Sequence, residues 1–567
     1  MTTRFALVFL LLAGCSFESA SVIETVNNRC GSDADCQAGV CDGRICIDDS
    51  DAAVEVAIEV VGSASEAQRV IPASWAFGSE PFSGSNVRDL ILPATREVRG
   101  TVRWDGLRVP ATVRFVRRMG SAVELLQPVP VEVATLREPA GGPEPEGYDF
   151  KTVLVAGERY DVVVLPTSDM VTSPTDASAP AIRSLPPLYL EASIEGGDPT
   201  EPYRFDISFP GGLETECTDN QNSGCTLTGE VASVDGEVEL VEVGLQVRAV
   251  DETTGRVVSS IGETDAFGRF AIRIGDETPN YLLRVTSSTG ADPFPGVSID
   301  PNVVFASDNN VIRIPRIDPI QFTGRVRDEA GTAVPGATVR FVSNSVFDDN
   351  QLGLRGSFTG SSTTNEDGSF GLQLLPGFYS VTVTPPDDVA SSWGVLSSEA
   401  LVGEELAVAE ALIVPAKVEL FGSVKTFREE AAPGVTVLAR ARLDSELAST
   451  HRSQEAVSNT LGRFTMRMDL GLYDMQVKIS SESGYAWLVE PAFAIDEDIA
   501  RTYQLDPPIS IEGLVQASDG TIVPGALIRA HVFTNDGSSG RRIQVAETMS
   551  DAEGNYRLLI APRLDDE

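Results

Sequence analysis

Seven cysteines are the residues of this chain best placed to do chemistry. Cys30, Cys36, Cys41 and Cys46 crowd into the run CGSDADCQAGVCDGRIC. Cys217 and Cys225 form a second group, and Cys15 stands alone near the start. The gaps of five, four and four residues in the run lack the C-x-x-C pairs of common zinc sites, and no histidine is close. Apart from Cys15 an even six remain, which is the arithmetic of a disulfide framework in an exported chain. Four cysteines allow three pairings, and the sequence does not choose among them. The run has too few apolar residues to fold without such staples. Cys217 and Cys225 are expected to close one loop between two domains.

Other catalytic constellations are missing from the sequence. Its two histidines, His451 and His531, lie outside any H-x-x-E or H-E-x-x-H pattern and are expected at the surface or in loops. There is no G-x-S-x-G elbow and no Gly-rich phosphate cradle after a strand. Carboxylate pairs abound only because Asp and Glu abound. The chain therefore reads as a non-enzyme, with no catalytic residue, metal or cofactor to assign. Binding is a separate matter. Trp393 and Trp487 each follow a tyrosine, Tyr379 and Tyr473, by 14 residues. The equal offsets point to one shared job, either packing over a domain end or, as the alternative, a platform for a sugar ligand.

Charge narrows the partners. The 567 residues hold 43 basic and 83 acidic side chains, a net charge of −40. That balance disfavours nucleic acid, which needs a basic surface. It suits a soluble surface that resists self-association. The length calls for several domains, and 42% hydrophobic content is ordinary for folded ones.

The elements that would carry these residues are strands. Residues 324–383 alternate apolar and polar positions around turn signals, and weaker copies fill the rest of the chain. Opening glycines recur at Gly229, Gly324, Gly422 and Gly513, with spacings of 95, 98 and 91 residues. A Pro-Gly follows 11 residues later at Pro335-Gly336, Pro433-Gly434 and Pro524-Gly525, marking a strand start or an edge bulge. A hairpin signature recurs as Asp265-x-x-Gly268-x-Phe270, Asn365-x-x-Gly368-x-Phe370, Asn459-x-x-Gly462-x-Phe464 and Asp551-x-x-Gly554-x-Tyr556. Its Asp or Asn should cap the turn, its Gly take the left-handed conformation, and its aromatic enter the core. Tyr281, Tyr379 and Tyr473 open a closing strand that the last copy lacks. That copy is open-edged, borrows a strand, or is cut short. The loops that vary between copies, such as 343–363, are the first place to look for binding.

Together the three signatures resemble the carboxypeptidase regulatory-like domain, a seven-stranded transthyretin-like (prealbumin-like) β-sandwich. The likeness covers 321–384 and 509–560 well, 419–480 and 229–287 less well, and 97–166 weakly. It implies an all-β fold of tandem Greek-key sandwiches behind a small disulfide-rich module. It also implies cell-surface or envelope placement and, in some members, carbohydrate binding, and it transfers no catalytic residue. At the N-terminus Arg4 and the apolar run Phe5 to Ala13 lead into Leu12-Ala13-Gly14-Cys15, which resembles the lipobox of bacterial lipoproteins. The resemblance implies cleavage before Cys15 and acyl chains such as palmitate on it. Ser16 then implies the outer membrane, on its periplasmic or surface face.

The expected order is a signal peptide (1–14), a lipidated Cys-rich module (15–50), a divergent sandwich (51–212), sandwiches at 213–316, 317–416 and 417–508, and an incomplete one at 509–567. Short Pro-bearing joints would set these in a semi-rigid rod. The expected function is a non-enzymatic, lipid-anchored envelope stalk or adhesive surface. The alternatives are a carbohydrate-binding array, touching envelope polysaccharide, and an accessory subunit of an envelope complex.

Overall fold

The computed structural model describes residues 27–36, 39–49, 53–62, 74–118, 131–135, 149–167, 184–195, 201–211, 213, 215–218, 223–235, 238–275, 280–287, 294–305, 310–346, 354–387, 392–403, 411–442, 451–535 and 540–562. The segment expected as a signal with Cys15, and the segments 138–147 and 168–183 expected as loops, lie outside them. Among the described residues the architecture is all-β, and the single α-helix is Pro301–Phe305. No described helix is long and apolar enough to cross a membrane. Five apolar cores form, each between two packed sheets, with a sixth small cluster around the N-terminal cysteines.

The fourth sandwich shows the plan. Val418–Thr426 lies between Arg463–Met468, which is antiparallel, and Ile499–Leu505, which is parallel. The facing sheet runs Gln454–Val457, Thr436–Ala441, Gly471–Lys478, Leu488–Ile495. Alternate residues meet between the sheets, so Leu420, Val437, Phe464 and Tyr473 share one core.

The repeated residues now have physical reasons. At Gly229, Gly422 and Gly513 a neighbouring backbone passes too close for any side chain. A Cβ on Gly422 would lie 1.6 Å from the Arg501 carbonyl oxygen, and one on Gly229 would lie 2.6 Å from that of Asn310. Gly100 serves the first sandwich in the same way, against Phe205 at 1.8 Å. The Pro-Gly pairs form turns just before a strand, with Gly336, Gly434 and Gly525 at φ of 70°, 71° and 66°. In the hairpin signature, Asp265 Oδ1 accepts the N–H groups of Phe267 and Arg269 at 2.8 and 2.9 Å. The following aromatics, Phe270, Phe370, Phe464 and Tyr556, are all buried. The Tyr379 and Tyr473 hydroxyls donate to carbonyls four residues back, at 2.7 and 2.8 Å.

Two expectations need correction. Residues 54–61 and 74–92 do not belong with the sandwich that follows them. Val54–Val61 pairs antiparallel with Leu527–Asn535, in the place that Gly471–Lys478 takes in the fourth sandwich. Ser74–Ala76 pairs with it on the far side. Ser85–Val87 and Leu90–Leu92 run parallel to Ile509–Ala517, as Ile499–Leu505 runs to Val418–Thr426. The last sandwich is therefore complete, and its missing strands come from the N-terminal end of the chain. Its single core mixes Val56, Ile58, Phe82, Leu90 and Leu92 with Ile511, Ile528 and Leu558. Signature counting could not see this, because the donated strands carry none of the repeated residues.

The second correction concerns 343–363, expected as a variable loop. Leu354–Thr363 is a strand, and its first residues pair with Gly296–Ile299 of the second sandwich. The result is one eight-stranded sheet across the second and third sandwiches. With the fifth sandwich built from both ends, the chain follows a closed circuit of contacts and not an open rod.

Candidate functional site

The two chain ends meet under the cysteine module. Its bridges are Cys30–Cys41 and Cys36–Cys46. The sulfurs of Cys30, Cys36 and Cys46 lie within 4.8 Å of one another, but sulfur held in S–S bonds offers no thiolate to a metal. The module grips two sandwiches. Asn28 Nδ2 donates to the Cys46 and Gly484 carbonyls at 2.8 and 2.9 Å, tying it to the fourth. Arg428 reaches the Asp35 carbonyl at 2.9 Å from the same side. Arg557 reaches the Asp42 carbonyl at 3.3 Å, and the Asp48 N–H donates to Pro508 at 3.0 Å, tying it to the fifth. The third bridge, Cys217–Cys225, closes a loop where the chain enters the second sandwich and joins that core.

Both histidines are buried, contrary to expectation. His451 stacks edge-on against Tyr473 at 4.9 Å, and its Nε2 lies 2.8 Å from the Leu472 carbonyl. It fills space beside Gly471, where a Cβ would meet it at 2.8 Å. His531 sits on the seam between the two chain ends, with Nε2 3.1 Å from Glu59 Oε2. Ser74 donates to Glu59 at 2.9 Å, and Arg542 stands 3.6 Å away. Burial alone would raise the Glu59 carboxyl. The bonds from His531 and Ser74 and the Arg542 charge outweigh it and hold Glu59 below its ordinary value. Burial pushes the His531 imidazole down, against the pull of Glu59. A neutral His531 that donates through Nε2 leaves Nδ1 as a bare acceptor, and Nδ1 has no partner among the described residues. The cluster joins strands and has no open face for a substrate. Sequence reasoning missed it because its members come from opposite ends of the chain.

The tryptophans stand at joints between sandwiches. Arg117 of the first sandwich lies 4.2 Å from the Trp75 ring of the fifth. Arg273 of the second lies 4.5 Å from Trp104 of the first. At the third joint, Arg452 is held by buried Asp469 and donates to the carbonyls of Pro385 and Trp393 at 2.9 and 3.2 Å. The Trp393 ring is partly buried, with its N–H 3.3 Å from Asp328. Trp487 is 9% exposed, donates to the Ile479 carbonyl at 3.3 Å and bridges by backbone to Ile560 of the fifth sandwich. The Lys478 ammonium lies over its ring at 4.4 Å, so Trp487 presents no open face to a sugar. The Arg541 guanidinium donates to both Asp474 oxygens, at 3.2 and 2.5 Å, and completes that joint.

One groove stands out among the described residues. It lies between the first and second sandwiches, holds about 410 Å³, and is lined by Pro186, Tyr189, Phe209, Pro210, Thr254 and Arg256 among others. The Tyr189 hydroxyl donates to the Val257 carbonyl at 3.0 Å, and the Arg256 guanidinium lies 5.2 Å from its ring.

No family model matches the sequence, and no curated protein matches it. Solved structures do. A streptococcal ancillary pilin is 10% identical over 57% of this chain and 99% of its own, with a TM-score of 0.20. GBS52, the minor pilin of Streptococcus agalactiae, is 14% identical over 33% of this chain and 96% of its own, at 0.21. BcpA, the major pilin subunit of Bacillus cereus, is 9% identical over 50% and 99%, at 0.13. TM-scores this low support no statement about function.

Proposed function

We propose that this chain is a non-enzymatic structural or adhesive protein of the cell envelope, built from carboxypeptidase-regulatory-like sandwiches and held to the outer membrane by acyl chains on Cys15. The observation that carries this reading is the co-folding of the two chain ends beneath the disulfide module. It makes a closed, cross-braced body whose first described residues follow the lipobox-like segment. The six remaining cysteines are bridged, both histidines are packed, and the tryptophans sit at joints. Changing Cys15 to Ala and fractionating the cells tests the anchor. Release of the protein from membranes is expected, and continued attachment overturns it. Cross-linking on intact cells tests the envelope role, with envelope components as the expected products.

Glycan binding remains the second reading because of the groove at Tyr189. It moves there from Trp487, whose ring is covered. The accessory-subunit reading assumed an open last sandwich, and strands from 54–61 and 74–92 fill that place.

A further inference from the structure

The second sandwich carries a pair of arginines that its fold does not explain. Arg248 and Arg284 are direct cross-strand partners on Leu245–Asp251 and Tyr281–Ser287. Directly opposed side chains share a face with Cβ atoms about 5 Å apart, and like charges so placed destabilise the ladder. Neither has a carboxylate partner among the described residues, and the buried Nε of Arg248 has no hydrogen-bond acceptor there. This is odd in a chain with 83 acidic residues to 43 basic ones, where a partner is easily supplied. Elsewhere Arg452, Arg501 and Arg541 each hold an acidic group.

The surroundings fit a ligand. On the same face, Ser298 is opposite Arg284, and Gln246 is opposite Thr286, so hydroxyl and amide donors flank the pair. The acidic neighbour in these rows is exposed Glu263, opposite Gln246 and one row away from Arg248. Arg248 is partly buried, while Arg284 is exposed. The strand bearing Ser298 continues the sheet into the third sandwich.

We propose that Arg248 and Arg284 form a binding site for an oxyanion, a carboxylate or a phosphate group, on the sheet shared by the second and third sandwiches. Two guanidinium forks side by side can each give paired N–H bonds to one oxyanion, which removes their mutual repulsion and satisfies Arg248 Nε. The site is separate from the Tyr189 groove and needs no part of the envelope reading.

The test is calorimetric titration of the full chain at constant ionic strength. One arm uses inorganic phosphate and the other a galacturonate trisaccharide, which separates a phosphate ligand from an acidic glycan. Saturable binding of at least one probe is expected. In Arg284→Gln it should weaken at least tenfold, and in Arg284→Lys by an intermediate factor, because Lys keeps the charge and loses the fork. Arg284 is exposed, so both variants should fold, and unchanged far-UV circular dichroism would verify that. No saturable binding of either probe, or equal affinity in wild type and Arg284→Gln, overturns the proposal.

Discussion

Gly513 has no room for a side chain because Arg88 runs past it. A Cβ there would lie 2.0 Å from the Arg88 carbonyl oxygen, which also accepts the Tyr556 hydroxyl at 2.7 Å. This contact locks the N-terminal segment into the last sandwich. Gly513→Ala must push the two strands apart, and a loss of about 3 kcal/mol is expected. Hydrogen exchange across Ile509–Ala517 should rise. Gly403→Ala, at a site with nothing within 4 Å, should leave it unchanged.

Removing residues 1–93 should expose the strand Leu527–Asn535 on one side and strip Val56, Ile58, Phe82, Leu90 and Leu92 from the core. Limited proteolysis should then cut within 509–562 while the second to fourth sandwiches survive. A peptide of residues 54–92 added in trans should restore protection. Resistance of the truncated chain without the peptide would contradict the composite sandwich.

Cys36→Ser with Cys46→Ser should loosen the module by about 3 kcal/mol, the scale for a loop of this size. Arg428 would then lose its hold on the Asp35 carbonyl and Asn28 its hold on Gly484. Mass-resolved proteolysis should show cleavage within 27–49, with the fourth core intact. Cleavage no faster than in wild type would mean that docking alone holds the module.

Acid should open the seam between the chain ends. Folding holds the His531 pKa below its ordinary 6.5, so the unfolded chain takes the proton more readily. Stability is therefore present above that value and declines as pH falls through 6.5 and below. Glu59, held below 4.5, adds a further loss as pH drops past that value. The groups facing His531 are Glu59, Arg529 and Arg542, so the new positive charge meets one carboxylate and two guanidiniums. Exchange at residues 57–61, corrected for intrinsic rate, should be faster at pH 5.5 than at pH 7.5. In His531→Gln the difference between those two pH values should vanish.

What was legible in the sequence was local. The Asp265, Asn459 and Asp551 turns, the buried aromatics after them and the sandwich class follow from short-range rules about turns and alternation. Long-range features were not legible. The opening glycines were visible as a period, but their cause lies in backbones such as Arg501 that approach from distant strands. Alternation along residues 54–61 says which face is apolar and never which strand is the neighbour. The segment 354–363 looked like a loop because its glycines and serines mask a ladder. His451 and His531 looked like surface residues because polarity alone cannot reveal a packed ring or a buried carboxylate partner.

The composite last sandwich also imposes an order on biogenesis. Strands within 54–61 and 74–92 are synthesised well before their partners within 509–535. Until residues 509–560 arrive, the apolar face of Val56, Ile58 and Val60 has nothing to cover it. Such waiting strands are open to mispairing and to chaperones. A chain broken off before residue 509 would keep that face uncovered, so this core closes only once both segments are present.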